Sequence, residues 1–248
     1  MPEPDFNKLR KALLRQGEPL RVPQLELSID VDVKRRFLGR PAASLQDEVD
    51  FFVGAGYDFV PVSIGLRQVM RGEGERRERE PRCGTKGPGA GLESALKPLE
   101  TRYNPEGNGS RTRLWAEEGR GLIRDGAGLD AFDWPHPDDF RYDAVDRLGR
   151  LLPSGAKLIV NVGCIFTAAW MLMGMEAFCI AVGEGSTVVA RLIRRIGEIQ
   201  ARVVENLLGF EGVGAIAMPD DLAHSGGLMV HPRVLREHVF PWLKRIGE

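Results

Sequence analysis

Lys157-Leu158-Ile159-Val160-Asn161-Val162 is a short, β-branched apolar run that stops at Gly163, and Val213-Gly214-Ala215-Ile216-Ala217-Met218 repeats the pattern before Pro219-Asp220-Asp221. Runs this short and this continuously apolar, bounded by turn residues, read as strands buried on both faces of a parallel sheet. Between them Ser186 can cap a long helix in which Val189, Leu192, Ile193, Ile196, Val203, Val204 and Leu207 form one stripe, and Gly209 and Gly212 follow its end. Strand, helix, strand in that order implies parallel pairing through a right-handed crossover.

The same grammar extends outward. Tyr57 to Ser63 reads as another buried strand, preceded by a helix that a Ser44–Asp47 capping box opens, that Leu45, Val49, Phe52 and Val53 stripe, and that Gly54 and Gly56 end. Val22 to Ile29 reads as the first strand, ending in Asp30 and Asp32, with a short helix running on to Gly39-Arg40-Pro41. Pro232 starts a helix that Leu235, Val239, Leu243 and Ile246 carry to the last residue. No strand is followed by the glycines a dinucleotide site needs: Gly163-Cys164 has none after it, and Gly183-Glu184-Gly185 opens no such turn. The expected fold is therefore α/β, a (β/α)8 TIM barrel that lacks its last strands and helices, in one domain over residues 1–248.

Regularity fails over about 71–111, where Arg and Glu alternate, Gly and Pro follow, and Asn104-Pro105-Glu106-Gly107 looks like a turn; this reads as a long loop excursion above the barrel. Thr112 to Arg124 resembles a β-hairpin turning near Glu118 to Gly121, and Phe132 to Pro137 an extended linker. Gly163 to Gly183 is almost wholly apolar, but Glu176 at its centre would cost about 2.5–3.5 kcal/mol in a bilayer, and the flanks lack a basic bias. A strand end followed by a core helix is the better reading, so no membrane association is expected.

Lys and Arg number 34 against 35 Asp and Glu, which leaves no bulk field for a polyanion, so nucleic acid is not an expected partner. Hydrophobic residues at 43% and charged ones at 28% suffice for a folded core. Cys83, Cys164 and Cys179 form no CxxC pair, and residues 1–16 lack the apolar core of a signal peptide. A cytoplasmic protein is the expectation.

Parallel barrels place their ligands at the carboxyl ends of strands. That rule selects Glu26, Ser63, Asn161 and the cluster Asp220, Asp221 and His224, whose adjacent carboxylates and nearby imidazole could share protons or orient a reacting group on a small-molecule substrate. The competing reading is that Asp220 or Asp221 caps the turn after Pro219 and His224 is solvated. Arg120 is a candidate for a substrate carboxylate. The spacing matches no zinc signature, so no metal site is assigned.

Several phrases together resemble the uroporphyrinogen decarboxylase superfamily, which includes cobalamin-dependent methyltransferases. They are Ala55-Gly56-Tyr57-Asp58-Phe59-Val60-Pro61, Glu117 to Ile123, Trp134-Pro135-His136-Pro137-Asp138-Asp139-Phe140, Pro219-Asp220-Asp221-Leu222, and Gly226 to Pro232 continued by Arg236 to Arg245. The resemblance implies a barrel longer than this chain and a substrate-contacting role for Asp221. Decarboxylases of the family carry an Arg-rich phrase near the first strand, where this chain reads Gln24 to Asp30, and an acid after the second strand, where it reads Pro61-Val62-Ser63-Ile64.

The resemblance therefore points to a methyltransferase-like enzyme acting on a small methylated substrate, with a porphyrinogen decarboxylase and a non-catalytic fragment or assembly subunit as alternatives. This chain alone is expected to bind no cofactor; zinc and a corrinoid protein partner belong to the longer methyltransferases. An open barrel edge would expose apolar surface worth on the order of 10 kcal/mol, so the chain is expected to self-associate through that edge, stay partly molten or recruit a second polypeptide that supplies the missing strands, measurable by light scattering with a dye for exposed apolar surface.

Overall fold

The computed structural model describes residues 3–19, 21–64, 99–103, 111–115, 121–140 and 142–248. The chain divides into two compact units, one of Met1–Ile64, Arg141–Val162 and Val204–Met218, the other of Gly65–Phe140, Gly163–Val203 and Pro219–Glu248.

The first unit is built on three parallel strands, β1 (Phe59–Ser63), β4 (Lys157–Asn161) and β5 (Val213–Ala217), in the order β1-β4-β5. All three were legible as apolar runs. Registered partners leave a sheet on the same side, so Phe59, Pro61 and Ser63 share a face with Lys157, Ile159 and Asn161 and with Ala215 and Ala217. A register shift between Leu158 and Ile159 skips Gly214.

That face is packed by Phe6 and Leu9 of α1 (Phe6–Leu13), which form a buried cluster with Phe59 and Ile159, joined by Leu27 and Tyr57. Asp5 caps α1, and the Phe6 amide donates to the Gly155 carbonyl at 2.8 Å. Gly155 sits at φ +86°, where a Cβ would lie 2.1 Å from the Pro4 carbonyl oxygen, so only glycine fits there. The unit is completed by α2 (Val31–Leu38), α3 (Leu45–Gly54) and α5 (Asp143–Leu151). Helix α3 opens with the Ser44–Asp47 capping box read from the sequence, and Gly39 ends α2 in the left-handed conformation.

Val22 to Ile29 is not a strand. It runs as irregular chain, with Val22 and Leu25 exposed. Pro23 removes a ladder donor, and the segment is held instead by side chains: Arg21 donates to the Gly56 carbonyl at 3.1 Å and pairs with the buried Asp58 at 3.6 Å.

In the second unit, β2 (Leu99–Tyr103) and β3 (Arg111–Trp115) pair antiparallel. The expected turn near Glu118 to Gly121 lies, up to Arg120, outside the described residues; residues 121–124 are not strand, and β2 falls within what read as continuous loop. The rest of the expected excursion lies mostly outside the described residues. Short α4 (Gly126–Ala131) and a 3₁₀ turn (Pro137–Asp139) precede the crossing into α5.

The apolar stretch after β4 is two helices, α6 (Phe166–Met173) and α7 (Met175–Gly183), bent by 104° at Gly174. Gly174 at φ +83° cannot continue a helix, which breaks the candidate span into two helices: α6 buries Phe166, Trp170 and Met173, and α7 buries Phe178 but leaves Ile180 exposed. Among the described residues no single helix is long and apolar enough to cross a membrane.

The long helix α8 (Thr187–Leu207) starts where Ser186 accepts the Val188 amide, and its whole predicted stripe is buried. A two-residue ladder, β6 (Ala223–His224) with β7 (Gly227–Leu228), leads to the last helical run, α9 (Pro232–Val234), a π-turn over Leu235–Val239, and α10 (Phe240–Gly247). Pro241 has no N–H to offer, and the Phe240 amide reaches back to the Leu235 carbonyl, which accounts for the wider turn. Of the expected barrel lacking its last strands and helices, the described residues form a parallel three-stranded sheet with helices, a partial α/β arrangement, and not a barrel.

Candidate functional site

In the first unit, Ser63, Asn161 and Ala217 are registered neighbours across the carboxyl ends of β1, β4 and β5. Asn161 is 1% exposed and Ser63 half-buried, and the Ile64 amide donates to the Asn161 carbonyl at 3.0 Å. The structure thus brings two sequence candidates together on the face that α1 packs further down.

Glu26 does not join them. It is exposed and lies beside Tyr57, just before β1 begins, because Arg21 and Leu27 hold its segment at the amino end of that strand. Partial burial, and then the Glu26 carboxylate, push the Tyr57 phenol above its ordinary range. A raised folded value favours the neutral phenol, so its contribution to stability is complete below the ordinary value of about 10 and is lost as pH rises through the folded one. In alkaline titration followed by phenolate absorbance against a Tyr57→Phe reference, Glu26→Gln is expected to bring the Tyr57 transition down. An unmoved transition would mean the carboxylate is not beside the ring.

In the second unit the acidic pair is divided. Asp220 spends both carboxylate oxygens on the start of α6: Oδ2 accepts from the amides of Ile165 and Phe166 at 2.9 and 2.8 Å, and Oδ1 from Thr167 at 2.8 Å. These are donors that a helix N-terminus leaves unpaired, and the negative charge complements the helix dipole. The Asp221 amide donates to Thr167 Oγ1 at 3.1 Å, which leaves its carboxylate exposed.

His224 is exposed on β6, and its Nδ1 accepts the Gly226 amide at 3.0 Å. In neutral His224 the proton is therefore on Nε2. A Cβ on Gly226 would stand 2.8 Å from the His224 ring, so that turn calls for glycine or a moved imidazole. Arg120 lies outside the described residues.

Sequence reasoning passed over two members of this arrangement, Thr167 and Gln200. Gln200 is fully buried in the apolar stripe of α8 and donates through Nε2 to the Cys164 carbonyl at 3.3 Å. Its signal was a lone amide among Ile196, Val203 and Val204.

A family model described as Uroporphyrinogen decarboxylase (URO-D) matches residues 123–248, just over half of the chain. The chain belongs to the uroporphyrinogen decarboxylase family. The match takes in the phrases around Trp134 to Phe140, Pro219 to Leu222 and Gly226 to Pro232 that carried the resemblance. No curated protein and no solved structure matches the chain. Within the uroporphyrinogen decarboxylase family, β4, β5, Asp220, Asp221 and His224 all fall inside the matched region.

Proposed function

We propose that this family member is a methyltransferase-like enzyme that holds a small methylated substrate, with a corrinoid protein as partner, and is not a porphyrinogen decarboxylase. The observation that carries the reading is the division of labour at the acidic pair. Asp220 is consumed as a helix cap, and Asp221 and His224 stay exposed on the turn after β5. A single carboxylate with a nearby imidazole suits a small substrate bearing one positive charge or hydrogen-bond donor.

It suits a polycarboxylate poorly. Around the acidic pair, the described segments of the second unit, Gly163 to Ile165 and Pro219 to His224, carry two acids and no Lys or Arg. Eight carboxylates there would meet repulsion, where paired cations would be needed.

In this reading Asp221 binds and orients the substrate, and His224 donates a hydrogen bond from Nε2 to the heteroatom from which the methyl departs, the proton that the heteroatom takes up coming from solvent. The corrinoid, when its carrier protein is bound, supplies the nucleophile that accepts the methyl group. Among the described residues no three His, Cys, Asp or Glu side chains are grouped to hold a metal ion.

The test pairs two anaerobic assays on the purified chain. Incubation with cob(I)alamin and a panel of methylated amines, alcohols and thiols is expected to show donor-dependent loss of the cob(I)alamin absorbance. Asp221→Ala and His224→Ala are expected to slow it by about 10²-fold, the scale of a lost positioning or acid group. Uroporphyrinogen is expected to remain unconverted; its turnover to coproporphyrinogen would replace this reading with the decarboxylase.

A further inference from the structure

Gln200 is an amide in a place that apolar packing alone would fill better. It is 0% exposed, flanked along α8 by the fully buried Ile196 and Val203, and its Oε1 meets no hydrogen-bond donor among the described residues. Its orientation follows from its partner: the Cys164 carbonyl can only accept, so Nε2 must face it. A buried amide satisfied at one end is less stable than a hydrocarbon of the same size, so stability alone does not account for it.

What it holds is the turn after β4. Gly163 sits at φ +98°, Cys164 follows, and the next three amides, Ile165, Phe166 and Thr167, are those that grip the Asp220 carboxylate. Thr167 Oγ1 then takes the Asp221 amide. Gln200 is thus connected, through the Cys164 carbonyl and the short chain segment to Thr167, with the Asp220 carboxylate and the Asp221 amide.

We infer that Gln200 is a positioning residue for Asp221, fixing the turn onto which the acidic segment is locked. The inference rests on the proposed role of Asp221 for its catalytic meaning, and on the geometry alone for its structural one.

Gln200→Met and Gln200→Leu both remove the amide and keep apolar volume, so each is expected to melt at the parent temperature or above. A residue with a merely structural role would show itself as a lower melting temperature. A positioning residue shows itself at unchanged stability as local loosening.

Amide hydrogen exchange is expected to speed up about ten-fold at Ile165, Phe166, Thr167 and Asp221, with the rest of α6 and α8 unmoved. Unchanged exchange at those four amides, or a uniform rise across both helices, would overturn the inference. Methyl transfer measured alongside is expected to lose kcat/KM in the same variants. A parent chain inactive with every donor would count against the proposed reaction, with the exchange result still deciding the role of Gln200.

Discussion

Asp220→Ala is expected to unfold the protein at a temperature roughly 5–10 °C below the parent, and Asp221→Ala, its neighbour in sequence, to leave the melting point almost unmoved. The first removes an acceptor from three amides at the start of α6, at 2.9, 2.8 and 2.8 Å, together with the charge that complements the helix terminus. Replacing a capping side chain costs about 0.5–2 kcal/mol, and hydrogen bonds to a charged group about 1.5–3; because the three bonds share one carboxylate they do not add, and about 2–3 kcal/mol is expected. The Asp221 side chain is exposed, and its backbone donor to Thr167 survives truncation, so its change stays within about 0.5 kcal/mol. Asp220→Asn retains one acceptor oxygen and should fall between. Differential scanning calorimetry of the three variants checks the order; equal losses for Asp220→Ala and Asp221→Ala would mean the cap contributes little.

Gly121→Ala is expected to be the most damaging single methyl group in the described chain, at about 3 kcal/mol or more. A Cβ there would stand 1.7 Å from the Met173 carbonyl oxygen and 2.7 Å from the Gly174 nitrogen. Both obstacles are backbone, and neither can turn aside as a side chain would. The segment cannot retreat either, since the amides of Leu122 and Ile123 both donate to the Leu172 carbonyl, at 2.7 and 2.9 Å, at the end of α6. Relief would have to break those bonds or shift the α6–α7 bend. Gly197→Ala makes a useful comparison, because its Cβ would meet the Trp242 indole at 2.3 Å, and a ring can move at lower cost. Chemical denaturation should rank Gly121→Ala as the less stable of the two; the reverse order would mean that the approach at Met173 is looser than described.

Some of what the sequence left unread was visible in principle. Asp5 capping a helix with Phe6 and Leu9 on one side is an ordinary start signal, set in a short, charge-rich segment whose apolar residues are too few to form a long stripe. Val145 and Leu148 in α5 carry the same spacing, followed by Gly149. The first-strand reading failed for a different reason. Val22, Leu25 and Leu27 have the composition of a strand, but a strand exists only where a neighbour offers its edge, and Arg21 and Leu27 are engaged at the amino end of β1 instead.

The family phrases around Pro219 to Leu222 and Gly226 to Pro232, the apolar runs that became β1, β4 and β5, and the stripe of α8 were determined by the sequence itself. Each is a local pattern whose period alone states which residues must leave water. Which of two adjacent aspartates is structural and which is exposed was decided only by tertiary structure. Asp220 and Asp221 are chemically alike, and the difference between them is the arrival of the Ile165 to Thr167 amides from a distant part of the chain. The role of Gln200 was decided in the same way: its buried amide acquires meaning only when the fold sets the Cys164 carbonyl against it, since a hydrogen bond between remote residues leaves no period in the sequence.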